Sequence, residues 1–168
     1  MKNPPPIETR RELALQFFKG TGVELGVARG DFSADVLTWS FCKLLYSIDR
    51  WTEPHHDIHE YQRALDRLNP FWTRSRVLRA TFEEALGLFE DGSLDFVYVD
   101  GYAHTGQEGG QTLEDWWPKI KPGGVMAGHD YDPLFQPTID AVDAFVARHG
   151  LELHLTEEEN LRSWWVVK

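Results

Sequence analysis

The stretch Glu24-Leu25-Gly26-Val27-Ala28-Arg29-Gly30, with Asp31 and Ser33 just beyond it, is the first part of the chain whose residue types could do chemistry. Gly26 and Gly30 let the backbone turn sharply and come close to a ligand. A dinucleotide fingerprint would place three glycines here to make room for a pyrophosphate, and this loop has two. Glu24 would repel a pyrophosphate, but it suits a cofactor that carries an ammonium and a sulfonium. Asp49 follows Gly30 by nineteen residues, at a strand end where a carboxylate can accept hydrogen bonds from both ribose hydroxyls.

A second set lies further on. Asp100 follows the apolar run Leu94 to Val99, and His129-Asp130 follow Gly124 to Ala127. If both runs are neighbouring strands of one sheet, the three side chains meet at one rim, as a metal site requires. Mg²⁺ prefers hard oxygen ligands, whereas the imidazole of His129 favours Mn²⁺, Fe²⁺ or Zn²⁺, so the set leaves the ion open. The alternative is that Asp100 caps a turn and His129-Asp130 bond loop backbone. His104 sits in the loop after Asp100 and is the candidate general base for an acceptor hydroxyl, with His129 in reserve. The plain reading of His104 is a loop histidine bonded to backbone or solvent. The run His55-His56-Asp57-Ile58-His59-Glu60 lacks the spacing of a His-Glu-x-x-His helix and reads as a solvated loop and helix start, or as a lid over substrate. Trp116-Trp117 read as helix packing and Cys42 as a small buried apolar residue.

The elements that must position these residues alternate. Pro4 to Pro6 form a stiff lead-in and Arg10 to Lys19 a covering helix. Strands are expected at Gly22 to Val27, Leu44 to Ile48, Arg76 to Arg79, Leu94 to Val99 and Gly124 to Ala127. Helices are expected over Ser33 to Trp39, His59 to Leu68, Phe82 to Phe89, Thr112 to Ile120 and Ile139 to His149. Leu151 to Leu155 and Ser163 to Val167, joined by a polar turn, read as a hairpin. Strands alternating with helices imply parallel pairing through right-handed crossovers, hence a Rossmann-like three-layer α/β sandwich: a seven-stranded, mostly parallel sheet ending in an antiparallel hairpin.

With 168 residues, 42% of them apolar, the chain has material for one core, read as residues 1–20 covering a domain of 21–168. A formal charge of −10 disfavours loose binding to nucleic acid or anionic lipid and favours a small neutral or cationic substrate. A lone cysteine excludes an intrachain disulfide and fits a reducing, cytoplasmic setting. The opening Met1 to Pro6 has no apolar core of the kind a signal peptide needs, and no run approaches the ~20 apolar residues of a membrane span.

Together, Glu24 to Gly30 and Ser47-Ile48-Asp49-Arg50-Trp51 resemble the first two cofactor motifs of class I S-adenosylmethionine-dependent methyltransferases. The run Val99-Asp100-Gly101-Tyr102-Ala103-His104, with Asp115 to Tyr131, resembles the macrocin-type sugar O-methyltransferases within that class. The resemblance implies that Glu24, Gly26 and Gly30 contact the amino-acid part of S-adenosylmethionine, Asp49 the ribose, and Trp51 and Thr81 the adenine. It also implies that Asp100 and Asp130 hold Mg²⁺ or another divalent cation. Each role has a local alternative: chain turning for the glycines, packing for Trp51, and a helix N-cap for Thr81. The spacing departs from that subgroup: His104 lies four residues after Asp100, whereas the subgroup commonly spaces this pair by three.

The expected activity is methyl transfer to a hydroxyl of a small molecule, a sugar or another natural product. Its rivals are a cofactor-binding module without turnover, a nicotinamide-dependent oxidoreductase and a metallohydrolase. So small a domain could also complete its pocket with a neighbour's residues as a homo-oligomer.

Overall fold

The computed structural model describes residues 6–168, so most of the lead-in expected at Pro4 to Pro6 lies outside the described residues. The strands are β1 (Lys19–Leu25), β2 (Phe41–Asp49), β3 (Ser75–Arg79), β4 (Leu94–Val99), β5 (Ile120–Tyr131), β6 (His154–Leu155) and β7 (Arg162–Val167). They form one seven-stranded sheet in the order β3-β2-β1-β4-β5-β7-β6. β1 to β5 pair in parallel, and β7 runs antiparallel to both β5 and β6. The expected sandwich and its hairpin are both present.

The helices are α1 (Arg10–Phe17), α2 (Asp31–Trp39), α3 (Ile58–Leu68), α4 (Phe82–Leu86), α6 (Gln111–Trp116) and α7 (Gln136–His149), with a single left-handed turn, α5 (Gly106–Gly109), before α6. Alternation along the strands sends side chains to opposite faces. Val97 and Val99 join Ala85, Leu113, Trp116, Val142 and Phe145 under α4, α6 and α7. Phe96 and Tyr98 join Leu13, Phe18, Phe32, Val36 and Leu37 under α1 and α2. Phe18 stacks on Phe96 with centroids 4.2 Å apart, and a Cβ at Gly22 would lie 2.2 Å from that Phe96 ring. The core therefore fixes how close β1 and β4 can come.

Some boundaries differ from the sequence reading. The helix expected over Thr112 to Ile120 ends at Trp116, because Pro118 opens a separate 3₁₀ turn, Trp117–Lys119. β5 extends on both sides of Gly124 to Ala127, reaching Ile120 and Tyr131.

The chain crosses from the edge strand β3 back to β4 beside β1, which makes the β1/β4 junction a topological switch point. In open α/β sheets the crevice at such carboxyl ends is where ligands bind.

Candidate functional site

A cavity of about 570 Å³ opens at that crevice, and its walls include Arg10, Glu24, Gly26, Ala28, Asp49, Asp100, Tyr102, His104 and Asp130. The loop after β1 is fastened on both sides. Gly26 N–H donates to the Ile48 carbonyl at 2.9 Å, and Asp100 N–H donates to the Leu25 carbonyl at 2.7 Å. Gly26 has φ +89°, and a Cβ there would lie 2.3 Å from the Asp100 carbonyl oxygen, so this position needs glycine for both conformation and space.

Asp49 secures the same loop. Its Oδ2 accepts from Val27 N–H at 2.9 Å and Ala28 N–H at 3.0 Å, while Oδ1 accepts from Trp51 N–H at 3.2 Å. Trp51 Nε1 donates to the Ala28 carbonyl at 2.7 Å, and its ring is buried against Tyr61. Trp51 is thus absent from the cavity wall, and its indole closes the loop from behind. Gly30 does not line the cavity either, but begins α2 in a left-handed conformation at φ +77°. Thr81 forms a full capping box on α4 with Glu84, so its hydroxyl is engaged in the cap. It borders a second, adjoining cavity, separated from the first by the Phe82–Tyr102 pair with centroids 4.8 Å apart.

Glu24 is 2% exposed. Its carboxyl accepts from the Ser33 hydroxyl, which lies 2.8 Å from the Ser47 hydroxyl. Burial pushes the Glu24 carboxyl up to about 8, with Asp100 and Asp49 adding to the rise and Ser33 and Arg10 opposing it. A buried acid of this kind would lose its proton readily once a cation settled beside it.

Across the cavity, Asp100, His129 and Asp130 do converge. His129 Nδ1 lies 3.0 Å from Asp130 Oδ1 and 3.5 Å from Asp100 Oδ1. A register irregularity between Gly128 and Tyr131, with Asp130 at φ +61°, turns this end of β5 toward the site. Burial opposes protonation of His129, yet the two carboxylates hold its pKa above the ordinary value. Burial raises the Asp100 carboxyl, against the pull of His129. One ligand atom from each of the three residues lies within 4.8 Å of the others. Separations no greater than this are compatible with ligands around one ion with bonds of ~2.1–2.3 Å, and two oxygens with one nitrogen suit a divalent cation. The residues therefore fit a metal.

His104 lines the cavity from the 3₁₀ turn Ala103–Thr105, its ring edge-on to Phe135 at 5.1 Å. It stands outside the Asp100 cluster. His56 also reaches the cavity, paired with Glu60 at 2.8 Å, while Asp57 caps α3. The run from His55 to Glu60 is thus a loop and helix start that borders the site. Cys42, Trp116 and Trp117 are buried packing residues.

Arg10, Phe82 and Tyr102 are among the wall residues to which sequence reasoning gave no role. Arg10 donates from Nη1 to Asp100 Oδ2 at 3.4 Å, ninety residues away in the chain, and no local pattern announces such a contact. Phe82 and Tyr102 could have been suspected, since each lies just beyond a strand end at the rim.

Among the described residues no helix is long and apolar enough to cross a membrane. Among solved structures, a candidate caffeoyl-CoA O-methyltransferase of Staphylococcus aureus superposes with a TM-score of 0.71 at 16% identity, over 89% of this chain and 76% of that one. A candidate methyltransferase of Streptococcus mutans, solved with S-adenosylhomocysteine, gives 0.70 at 12% identity over 99% of each chain. An rRNA methylase of Streptococcus thermophilus gives 0.62 at 15% identity, over 99% of this chain and 97% of that one. These likenesses are of fold. The curated protein "Uncharacterized protein y4gI" of Sinorhizobium fredii is 32% identical over 108 residues, 62% of this chain, and the chain spans only 11% of that protein's length. Residues 23–131 match the family described as "Methyltransferase domain". That stretch holds the Gly26 loop, Asp49 and the Asp100 cluster, and the chain belongs to this family of class I S-adenosylmethionine-dependent methyltransferases.

Proposed function

We propose that the protein methylates a hydroxyl of a small molecule with the assistance of a divalent cation, as an O-methyltransferase akin to the macrocin-type enzymes. The observation that carries this reading is one cavity lined both by the Gly26 loop with Glu24 and Asp49 and by Asp100 and Asp130, beside which His129 completes a candidate ligand set.

When bound, S-adenosylmethionine supplies a methyl already activated on a sulfonium. Asp49 would accept from a ribose hydroxyl through the one Oδ1 lone pair its three backbone donors leave open, and Glu24 would face the cationic amino-acid end. Asp100, His129 and Asp130 would hold the cation and with it orient the acceptor oxygen. His104, across the cavity, would take the acceptor's proton, with His129 as the alternative if no metal engages it. A small acceptor is favoured over nucleic acid by the formal charge of −10.

Calorimetry with S-adenosylmethionine, S-adenosylhomocysteine and NAD tests the cofactor. Binding of the first two without NAD is expected, and binding of NAD alone would overturn the reading. With an acceptor in hand, activity should fall on thorough chelation with EDTA and return with Mg²⁺ or Mn²⁺. Full activity without metal would remove the cation and leave methyl transfer standing.

A further inference from the structure

Asp100 divides its carboxylate between an imidazole and a guanidinium of the protein itself. Oδ1 faces His129 Nδ1 at 3.5 Å, and Oδ2 takes Arg10 Nη1 at 3.4 Å. Arg10 is the first residue of α1, and its guanidinium sits over the Phe32 ring at 4.8 Å on the cavity wall. Its backbone N–H is held by Glu158 Oε1 at 3.4 Å. The cluster thus meets a fixed positive charge delivered by a separate, N-terminal element. A divalent cation bound by Asp100, His129 and Asp130 would have that charge a few ångströms away.

We propose that Arg10 is the resident counter-cation of this site and competes with a divalent cation for Asp100, so that metal loading releases the first turn of α1. The inference rests on reading Asp100, His129 and Asp130 as a metal set. Because coupling is reciprocal, a metal that weakens the Arg10–Asp100 pair must itself bind more weakly while that pair is intact. Docking of α1 and metal affinity then trade against each other.

Mn²⁺ alone is the probe, followed by electron paramagnetic resonance in the full chain. Arg10→Gln should bind Mn²⁺ about tenfold more tightly than wild type, from loss of one nearby like charge. Arg10→Lys, which keeps the charge, should stay close to wild type, and Asp100→Asn should abolish binding in either background. As a second readout, Mn²⁺ should speed amide exchange at Leu13 and Ala14 in the wild type but not in Arg10→Gln. Equal or weaker Mn²⁺ affinity in Arg10→Gln, with binding still lost in Asp100→Asn, overturns the competition and leaves the metal set intact. Absence of Mn²⁺ binding in both wild type and Arg10→Gln overturns the metal set along with it. The calorimetry with S-adenosylhomocysteine tests cofactor binding separately from either result.

Discussion

Around the ends of β1 and β2 the polar groups are already engaged by the protein's own backbone, whereas around β4 and β5 they face one another. Asp49 accepts from three backbone N–H groups, Trp51 closes on the Ala28 carbonyl, and Glu24 is enclosed with Ser33 and Ser47. Across the cavity, Asp100, His129, Asp130 and Arg10 are held by mutual charge. The first wall is formed before any ligand arrives. The second is a balance of charges that a bound cation or acceptor would reset. Damage to the first should therefore appear as lost cofactor affinity, and damage to the second as lost turnover.

The largest effect is expected at the candidate base, His104, which belongs to neither set. With a competent acceptor, His104→Ala should lower turnover by ~10²–10⁴-fold, the usual contribution of a general base, with S-adenosylhomocysteine affinity by calorimetry essentially unchanged. Turnover like that of the wild type would exclude His104 and pass the test to His129.

On the first wall, Asp49→Ala should weaken S-adenosylhomocysteine by ~10–100-fold, since a hydrogen bond to a charged group is typically worth about 1.5–3 kcal/mol. Circular dichroism should show the fold retained, because the change removes loop contacts and no core side chain. Undiminished affinity in the folded variant would show that the ribose lies elsewhere.

A third effect sharpens the contrast through pH. The Glu24 carboxyl is pushed to about 8 by burial, against ~4.3 in an unfolded chain. Between those values the folded state keeps a proton that the unfolded state gives up. The contribution of Glu24 to stability should therefore be fullest below ~4.3 and be lost as pH rises through about 8, by at most ~1.4 kcal/mol per pH unit. Glu24→Gln, which has no proton to lose, should give a flatter profile. Urea unfolding at several pH values across that window checks this, and parallel profiles for the two proteins would mean that Glu24 is ionised in the fold. Cofactor cations favour the ionised form, so S-adenosylmethionine affinity should rise over the same window.

Strand and helix types were legible because apolar runs such as Leu94 to Val99 end at a polar residue on the rim. The positions of Asp49, Asp100 and Asp130 followed from topology once the runs were read as parallel strands. What could not be read was which way a side chain turns at a loop. Trp51 looks equally suited to a cavity wall and to a core, and only its φ of +47° and the bond to Ala28 place it behind the loop. Thr81 fits adenine and a capping box equally well in sequence, and Glu84 decides for the box. The left-handed turn at α5 follows no apolar period, since Gln107 and Glu108 adopt φ of +52° and +57° between glycines. Contacts such as Arg10 with Asp100 depend on docking between distant segments, which local patterns do not encode.

The place of β7 has a consequence for the order of assembly. Its residues emerge from the ribosome after those of every other strand, yet it lies between β5 and β6 and buries Trp164 and Val166 at 0% exposure. Until it inserts, β5 presents an open row of backbone donors and acceptors on the side opposite β4, of the kind that invites pairing with another chain. A nascent chain can complete β1 to β4, with the Gly26 loop and Asp49, well before that edge is covered. The sheet closes only after synthesis of β7, and the interval before closure is when this protein is most exposed to misassembly.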